Sequence, residues 1–284
     1  MKCKLCKNKG IYKNFCERHF IEYFEDKVKL AIKRFKLLKK SDKVAVAVSG
    51  GKDSMSVLTI LNKLGYNVTA ISIDEGIFGY RDKTLDNVKL FCKKNNIKLK
   101  VYSFKKEFGK PLDKMNIIGS KCSVCGVFRR DILNKYTKGY DVLATGHNMD
   151  DEAQAIIMNL LKNNLDILPR LGPISGVKTI KNFTKRVKPL YLCTEKEVSL
   201  YSKLKKVNPY SCCCPNKQYS FRLRILRLLD KLELTQPNIK LNIINWFLKY
   251  KKKIKEKGTI KICKLCGNPS SKTVCNKCIL IKTI

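Results

Sequence analysis

Apolar residues recur at steps of three or four through FIEYFEDKVKLAIKRFKLLKK, at Phe20, Phe24, Val28, Ala31, Phe35 and Leu38, which predicts an amphipathic helix over residues 20–40. The period then changes. KVAVAVSGGKDS, residues 43–54, opens as a run of small and β-branched residues, reads as a buried strand, and ends in a glycine turn. SMSVLTILNKLG, from Ser54, returns to helical spacing. Further strands are predicted at NVTAISID (67–74), KLKVYSF (98–104) and YDVLATGHN (140–148). Helices are predicted near 82–96 and 123–137 and over DDEAQAIIMNLLK (150–162). Residues 163–193 are less regular and hold three prolines, and helices near 194–206 and 219–233 follow. Strands alternating with helices predict an α/β fold with a parallel sheet covered on both faces.

Charge changes the picture. The 284 residues carry 60 Lys+Arg against 23 Asp+Glu, a formal net charge of +37. Such an excess repels itself unless a polyanion shares it, which points to nucleic acid or an anionic membrane; solvated lysine-rich faces account for part of it. No apolar run approaches a spanning helix, and MKCKLCKNKG lacks the apolar segment of a signal peptide, so no membrane partner and a cytoplasmic location are expected. Seven Lys/Arg lie between Lys27 and Lys40, and six Lys between Lys249 and Lys257.

Most of the 14 cysteines sit in C-x-x-C pairs, a spacing that suits metal better than a disulfide framework. Cys3, Cys6, Cys16 and His19 form one complete set of ligands, and Cys263, Cys266, Cys275 and Cys278 a second. Four N/S ligands in two close pairs suit tetrahedral zinc, closed and structural. Fragments this small cannot fold on apolar burial alone, so each is expected to hold one Zn2+. The domains predicted are an N-terminal zinc finger (1–26), a catalytic domain (27–257) and a C-terminal zinc ribbon (258–284). Cys92, among apolar neighbours at helical spacing, is expected to be a small buried hydrophobe.

SGGKDS, Ser49, Gly50, Gly51, Lys52, Asp53 and Ser54, links a strand to a helix. Glycines let backbone approach phosphate oxygens, and a helix N-terminus offers unpaired N–H groups. The spacing is neither a Walker A loop nor GxGxxG, and strand–glycine–helix turns are often only turns. With IDEGIFGYR (73–81), KCSVCGVFRR (121–130), GHNMDDEAQ (146–154) and KPLYLCTEKEV (188–198) in this order, however, the whole chain resembles the tRNA 2-thiouridine synthetases of the PP-loop, or N-type ATP pyrophosphatase, superfamily, in the group with a zinc knuckle at each end.

The resemblance implies a Rossmann-like, adenine nucleotide alpha hydrolase-like domain that binds ATP at the carboxyl ends of its strands. Ala47, Ile73 and Gly146 stand at strand ends where backbone groups can hold adenine and ribose. Asp53, Asp150 and Asp151 are candidates for Mg2+, although acidic residues also favour a helix N-terminus for its own sake. Arg129 is a candidate for the α-phosphate, with a solvated basic face as the alternative, and His147 is given no firm role. The implied reaction adenylates the C2 oxygen of a tRNA uridine and replaces it with sulfur. The implied donor is a thiocarboxylated ubiquitin-like protein or inorganic sulfide. The target is a wobble or a T-loop uridine, and a homodimer is left open. A non-catalytic zinc-ribbon RNA-binding protein would explain the charge and knuckles but has no use for SGGKDS.

Cys122 and Cys125 open a helix with no second pair nearby, and a distant partner is found in NPYSCCCPNKQYSFR (208–222). Three thiolates leave one iron of a four-iron cluster open, and in the resembling family three cysteines hold a 4Fe–4S cluster. A cysteine persulfide route and a structural zinc are the alternatives. The family's last cluster cysteine begins a CPY- or CTY-like stretch before an aromatic–Arg pair. Here CPNKQYSFR, with Phe221–Arg222, selects Cys214 by register, although Asn216 replaces the usual aromatic. In extended chain Cys212 shares the side of Cys214 and is the fallback ligand, whereas Cys213 points away.

Overall fold

The computed structural model describes residues 2–175, 184–207, 214–217, 221–254 and 261–283. Helix α1 (Glu17–Arg34) buries Phe20, Phe24, Val28 and Ala31, the stripe expected of it. It stops short of the predicted end. Lys36 adopts a left-handed φ of 50°, and the Leu37 N–H bonds the Ile32 carbonyl at 3.0 Å, which closes the helix. The turn sends Leu37 and Leu38 into the core instead of continuing the helical stripe.

Beyond it the chain alternates as the periodicity predicts. Strand β1 (Lys43–Ala47), α2 (Lys52–Lys63), β2 (Asn67–Asp74), α3 (Arg81–Lys94) and β3 (Lys98–Ser103) come first. Next come a short α4 (Phe104–Phe108), α5 (Lys121–Tyr136), β4 (Val142–Ala144) and α6 (Met149–Leu161). Two short strands, β5 (Ile174–Ser175) and β6 (Lys185–Val187), lie in the proline-rich stretch. Helices α7 (Glu195–Leu204), α8 (Phe221–Thr235) and α9 (Ile239–Tyr250) follow. The C-terminal segment adds a hairpin of β7 (Lys261–Ile262) with β8 (Pro269–Ser270) and a helix, α10 (Asn276–Ile281).

The main sheet has the order β3-β2-β1-β4-β6-β5, parallel except for the β5–β6 pair. Its central strands are buried, and α1, α2 and α7 share the largest apolar core with one face. Helix α5 covers the other face through Val124, Phe128 and Ile132. Helices α6, α8 and α9 enclose a second core around Ile225, Ile244 and Phe247.

Two elements depart from expectation. The strand expected over 140–148 keeps three residues, because from Gly146 the chain turns against the start of α2. Helix α9 was not expected at all. Its apolar residues surround the axis, with Ile244 and Phe247 buried and Leu241 and Trp246 exposed, so no single stripe marks it. No described helix is long and apolar enough to cross a membrane.

Candidate functional site

Strand order reverses between β1 and β4, so the loops leaving their carboxyl ends diverge and open a crevice. The loop after β1 is SGGKDS. Gly50 has a φ of 81°, and a Cβ there would lie 2.5 Å from the Thr84 carbonyl oxygen, so only glycine fits. The Ser54 hydroxyl donates to the Gly51 carbonyl at 3.0 Å and accepts the Ser49 N–H at 3.1 Å, tying the loop to the first turn of α2. The opening N–H groups of α2 are thereby aimed into the crevice. Ala47 closes β1 and Ile73 precedes the last residue of β2, so both border it.

Gly146 enters from β4. A Cβ on it would stand 2.7 Å from the Ser54 nitrogen, which is backbone and cannot swing aside. Gly146→Ala is therefore expected to displace the first turn of α2 and weaken ATP binding at least about ten-fold. Calorimetric titration with Mg-ATP checks this, and unchanged affinity would contradict the close packing.

Charged groups converge on the same loop. Lys52 Nζ lies 2.8 Å from Asp53 and 2.6 Å from Glu195. Burial works to lower the Lys52 pKa, but these two carboxylates outweigh it and raise it. The Asn148 amide donates to Asp53 at 3.1 Å and to Glu195 at 2.7 Å while its oxygen caps α6 in a box with Asp151. Asp151 stays half-buried, 3.6 Å from Arg222, and desolvation pushes its carboxyl up. Asp150 is engaged elsewhere. One oxygen faces Lys240 at 2.6 Å, and the other accepts the Glu195 N–H at 2.8 Å, fixing the start of α7. His147 accepts or donates through Nδ1 to the Thr145 hydroxyl at 3.0 Å.

An ionic chain, buried at Arg81 and Glu75 and exposed at Arg129, runs from this loop to α5. The Arg81 guanidinium donates to the Ser49 carbonyl at 2.6 Å and to the Ser72 hydroxyl at 2.5 Å. Its Nε lies 3.0 Å from Glu75, and Glu75 also meets Arg129 at 3.5 Å. Arg129 is one turn beyond Cys125 and lies beside its thiol.

Ser120 caps α5, which starts with Cys122 and Cys125. The Cys122 thiol donates to the Asn216 carbonyl at 2.8 Å, which seats residues 214–217 against α5. Burial pushes Cys125 up to about 12, helped by the charge of Glu75 and by the neighbouring Cys214 and Cys122. Cys212 and Cys213 lie outside the described residues. The three middle thiols are thus neighbours without a fourth protein ligand among the described residues. They are also more widely spread than the terminal sets, the two groups among the described residues whose donor atoms all fall within 4.8 Å. That donor set fits a polynuclear cluster better than a single ion.

The terminal sets are compact. Cys3 Sγ lies 3.2 Å from His19 Nδ1 and Cys6 Sγ 3.6 Å from Cys16 Sγ. Cys263 is 3.9 Å from Cys278, and Cys266 is 3.7 Å from Cys275. Burial opposes the Cys3 thiolate, but the N–H groups of Leu5, Cys16 and Cys6 and the His19 ring bring its pKa down to about 6. Cys263 likewise falls to about 6, led by the Cys275 N–H. Both ends present the arrangement of a four-ligand zinc knuckle. Cys92 is 2% exposed, and burial raises its thiol to about 11.

A glycine-serine loop before a helix, at the reversal point of a parallel sheet and ringed by Lys52, Asp53 and Asp151, defines a PP-loop nucleotide-binding protein. The profile of the PP-loop domain family matches residues 14–230. The chain is 40% identical to the tRNA-5-methyluridine(54) 2-sulfurtransferase of Pyrococcus horikoshii, over 98% of this chain and 93% of that one. It is 36% identical to the protein of the same name in Thermotoga maritima, over 100% and 97%. It superposes on the U34-tRNA thiolase NcsA of Methanococcus maripaludis, solved with its 4Fe–4S cluster, with a TM-score of 0.86, 34% identity, and coverage of 100% and 96%. The chain belongs to the PP-loop family of tRNA 2-sulfurtransferases.

Four residues of the site had no role assigned from sequence: Glu75, Arg81, Asn148 and Glu195. Asn148 and Thr194 each stand three residues before an acidic partner, at Asp151 and Glu197, and that capping spacing is a readable signal.

Proposed function

We propose that this chain uses ATP to thiolate a tRNA uridine at C2. The observation that carries the reading is the ionic chain Ser49–Arg81–Glu75–Arg129, which joins the phosphate loop to the helix holding Cys122 and Cys125. An activation site and a sulfur site must share one mouth for such a reaction, and this chain of contacts spans them.

The uridine O2 attacks the α-phosphorus of ATP, the bond to pyrophosphate breaks, and an adenylated base forms. A sulfur nucleophile then adds at C2, and AMP leaves with the former carbonyl oxygen. Activation is needed because a urea-like carbonyl oxygen is a very poor leaving group. The α2 N-terminus and Lys52 stabilise charge developing on pyrophosphate, and Arg129 is suited to the α-phosphate. Mg2+ on Asp53 and Asp151 would neutralise the leaving group, while Asp150 orients Glu195 from below. Ala47, Ile73 and Gly146 offer backbone groups for adenine and ribose. When bound through Cys122, Cys125 and Cys214, a 4Fe–4S cluster supplies an open iron position for the incoming sulfur. The walls of the crevice must exclude water, which would return the adenylate to uridine.

One zinc ion in each terminal set would make the knuckles rigid mounts for RNA contacts. Phosphates of tRNA answer the charge of +37, and a cytoplasmic setting suits reduced thiols. Sulfide or a ubiquitin-like thiocarboxylate serves as donor, and a homodimer is compatible with the reading. Anaerobic incubation of reconstituted protein with tRNA, Mg-ATP and sulfide, followed by nucleoside mass analysis, tests it. Absence of 2-thiouridine at verified cluster occupancy would end the proposal, and mapping would assign position 34 or 54.

A further inference from the structure

We propose that Arg130 and Arg186, with Arg222 beside them, form a subsite for RNA backbone phosphates next to the target nucleotide. The inference rests on the function proposed above and adds a named contact surface to it.

Four guanidinium groups line α5, from Arg129 and Arg222 near its cysteine end, through Arg130, to Arg186 beside Asn134, more than two turns beyond Cys125. Two of them have carboxylate partners, Arg129 with Glu75 at 3.5 Å and Arg222 with Asp151 at 3.6 Å. Arg130 and Arg186 have none among the described residues. The segments outside that description contain one acidic side chain, Glu256, in a stretch that also holds Lys255 and Lys257. Both groups are nonetheless placed by contacts, although Arg130 is exposed and Arg186 half-buried. The Arg130 guanidinium folds back over Gly126, 3.4 Å from where a Cβ would stand, so the glycine leaves room for it on the helix surface. Arg186 reaches from β6 to the Asn134 side-chain oxygen at 2.5 Å, and among the described residues its other N–H donors have no partner.

The cost of this arrangement is visible in the charges. Burial and the nearby Arg130 push Arg186 down to about 10. Burial, then Arg129 and Arg222, lower Arg130 as well. Like charges held together without a counter-ion are relieved by an anion, and a planar fork binds phosphate oxygens in pairs. The ATP phosphates have their own cradle in the Ser49–Ser54 loop, which no contact from Arg130 or Arg186 reaches. A base delivered to the cysteine cleft brings its own flanking phosphates with it.

The test compares wild type with the double variant Arg130→Gln/Arg186→Gln in tRNA binding over a range of KCl, with Mg-ATP affinity measured beside it. The expected result is a tRNA Kd raised about ten-fold or more and a log–log salt slope shallower by about 1.4–1.8, the value for two lost phosphate contacts. ATP affinity and the far-ultraviolet spectrum stay unchanged. Arg130→Lys/Arg186→Lys keeps the charge but not the fork, and it should retain the slope while losing part of the affinity. Unchanged tRNA affinity and slope in the glutamine variant would overturn the subsite. So would a loss confined to ATP, which would reassign the arginines to the nucleotide. If wild type itself binds no tRNA, the broader functional proposal fails instead.

Discussion

Replacing Glu75 by glutamine is expected to weaken both the fold and ATP binding, the largest joint effect of any single change to the site. Arg81 and Glu75 are 2% and 7% exposed at the side chain, so removing the charge of one strands the other in the interior. Losing one partner of a buried pair costs about 3–5 kcal/mol, far above a typical surface change. The functional effect follows from the other end of Arg81. Its 2.6 Å bond to the Ser49 carbonyl holds the entry to the phosphate loop, and a buried guanidinium that loses its counter-charge is driven to shift towards water and away from that carbonyl. Denaturant unfolding and Mg-ATP titration of Glu75→Gln and Glu75→Asp check this together. The aspartate keeps the charge and should recover part of both quantities. A glutamine variant that unfolds and binds ATP like wild type would show that the ionic chain positions nothing.

The reason Glu75 had no role in the sequence reading is physical. The Glu75–Arg81 contact depends on how IDEGIFGYR turns, and the turn depends on Gly76. Gly76 has a φ of 68°, and a Cβ there would stand 2.3 Å from Pro111, a residue far along the chain. The link to Arg129 and the bond from Arg186 to Asn134 span longer gaps still. By contrast, SGGKDS and both terminal ligand sets are local. Each is complete within a short stretch, and its chemistry follows from residue type and spacing alone. The parallel sheet was legible because β1 and β2 are buried on both faces, carry small and β-branched residues at successive positions, and alternate with helical periodicity. Helix α9 was not, because its apolar residues surround the axis, with Leu241 and Trp246 left exposed, and no single stripe marks it. The end of α1 was misjudged for a related reason. Leu38 keeps the helical spacing, yet it reaches the core through a left-handed turn at Lys36.

Cys214→Ser is expected to abolish cluster binding, whereas Cys213→Ser leaves it intact. The argument for Cys214 is now electrostatic as well as one of register. Burial raises its thiol, and the charges that act on it next include Glu75 and Arg129, the same pair that acts on Cys125. The half-buried Tyr80 hydroxyl is raised by burial and then by the charge of Cys214, which places the two side by side. Cys214 therefore faces the mouth formed by α5 and the Glu75 loop, with Cys122 anchored to Asn216 two residues further on. Iron and acid-labile sulfide per chain, with the electron paramagnetic resonance spectrum of each anaerobically reconstituted serine variant, provide the measurement. Cys122→Ser and Cys125→Ser should match Cys214→Ser. If Cys214→Ser keeps its iron and Cys212→Ser loses it, the ligand is one face-step earlier in the extended chain and the register argument is wrong. If all three variants at 212–214 keep full iron, then any one of these thiols can replace another, and the run of three cysteines serves as a redundant ligand instead of one ligand with two neighbours.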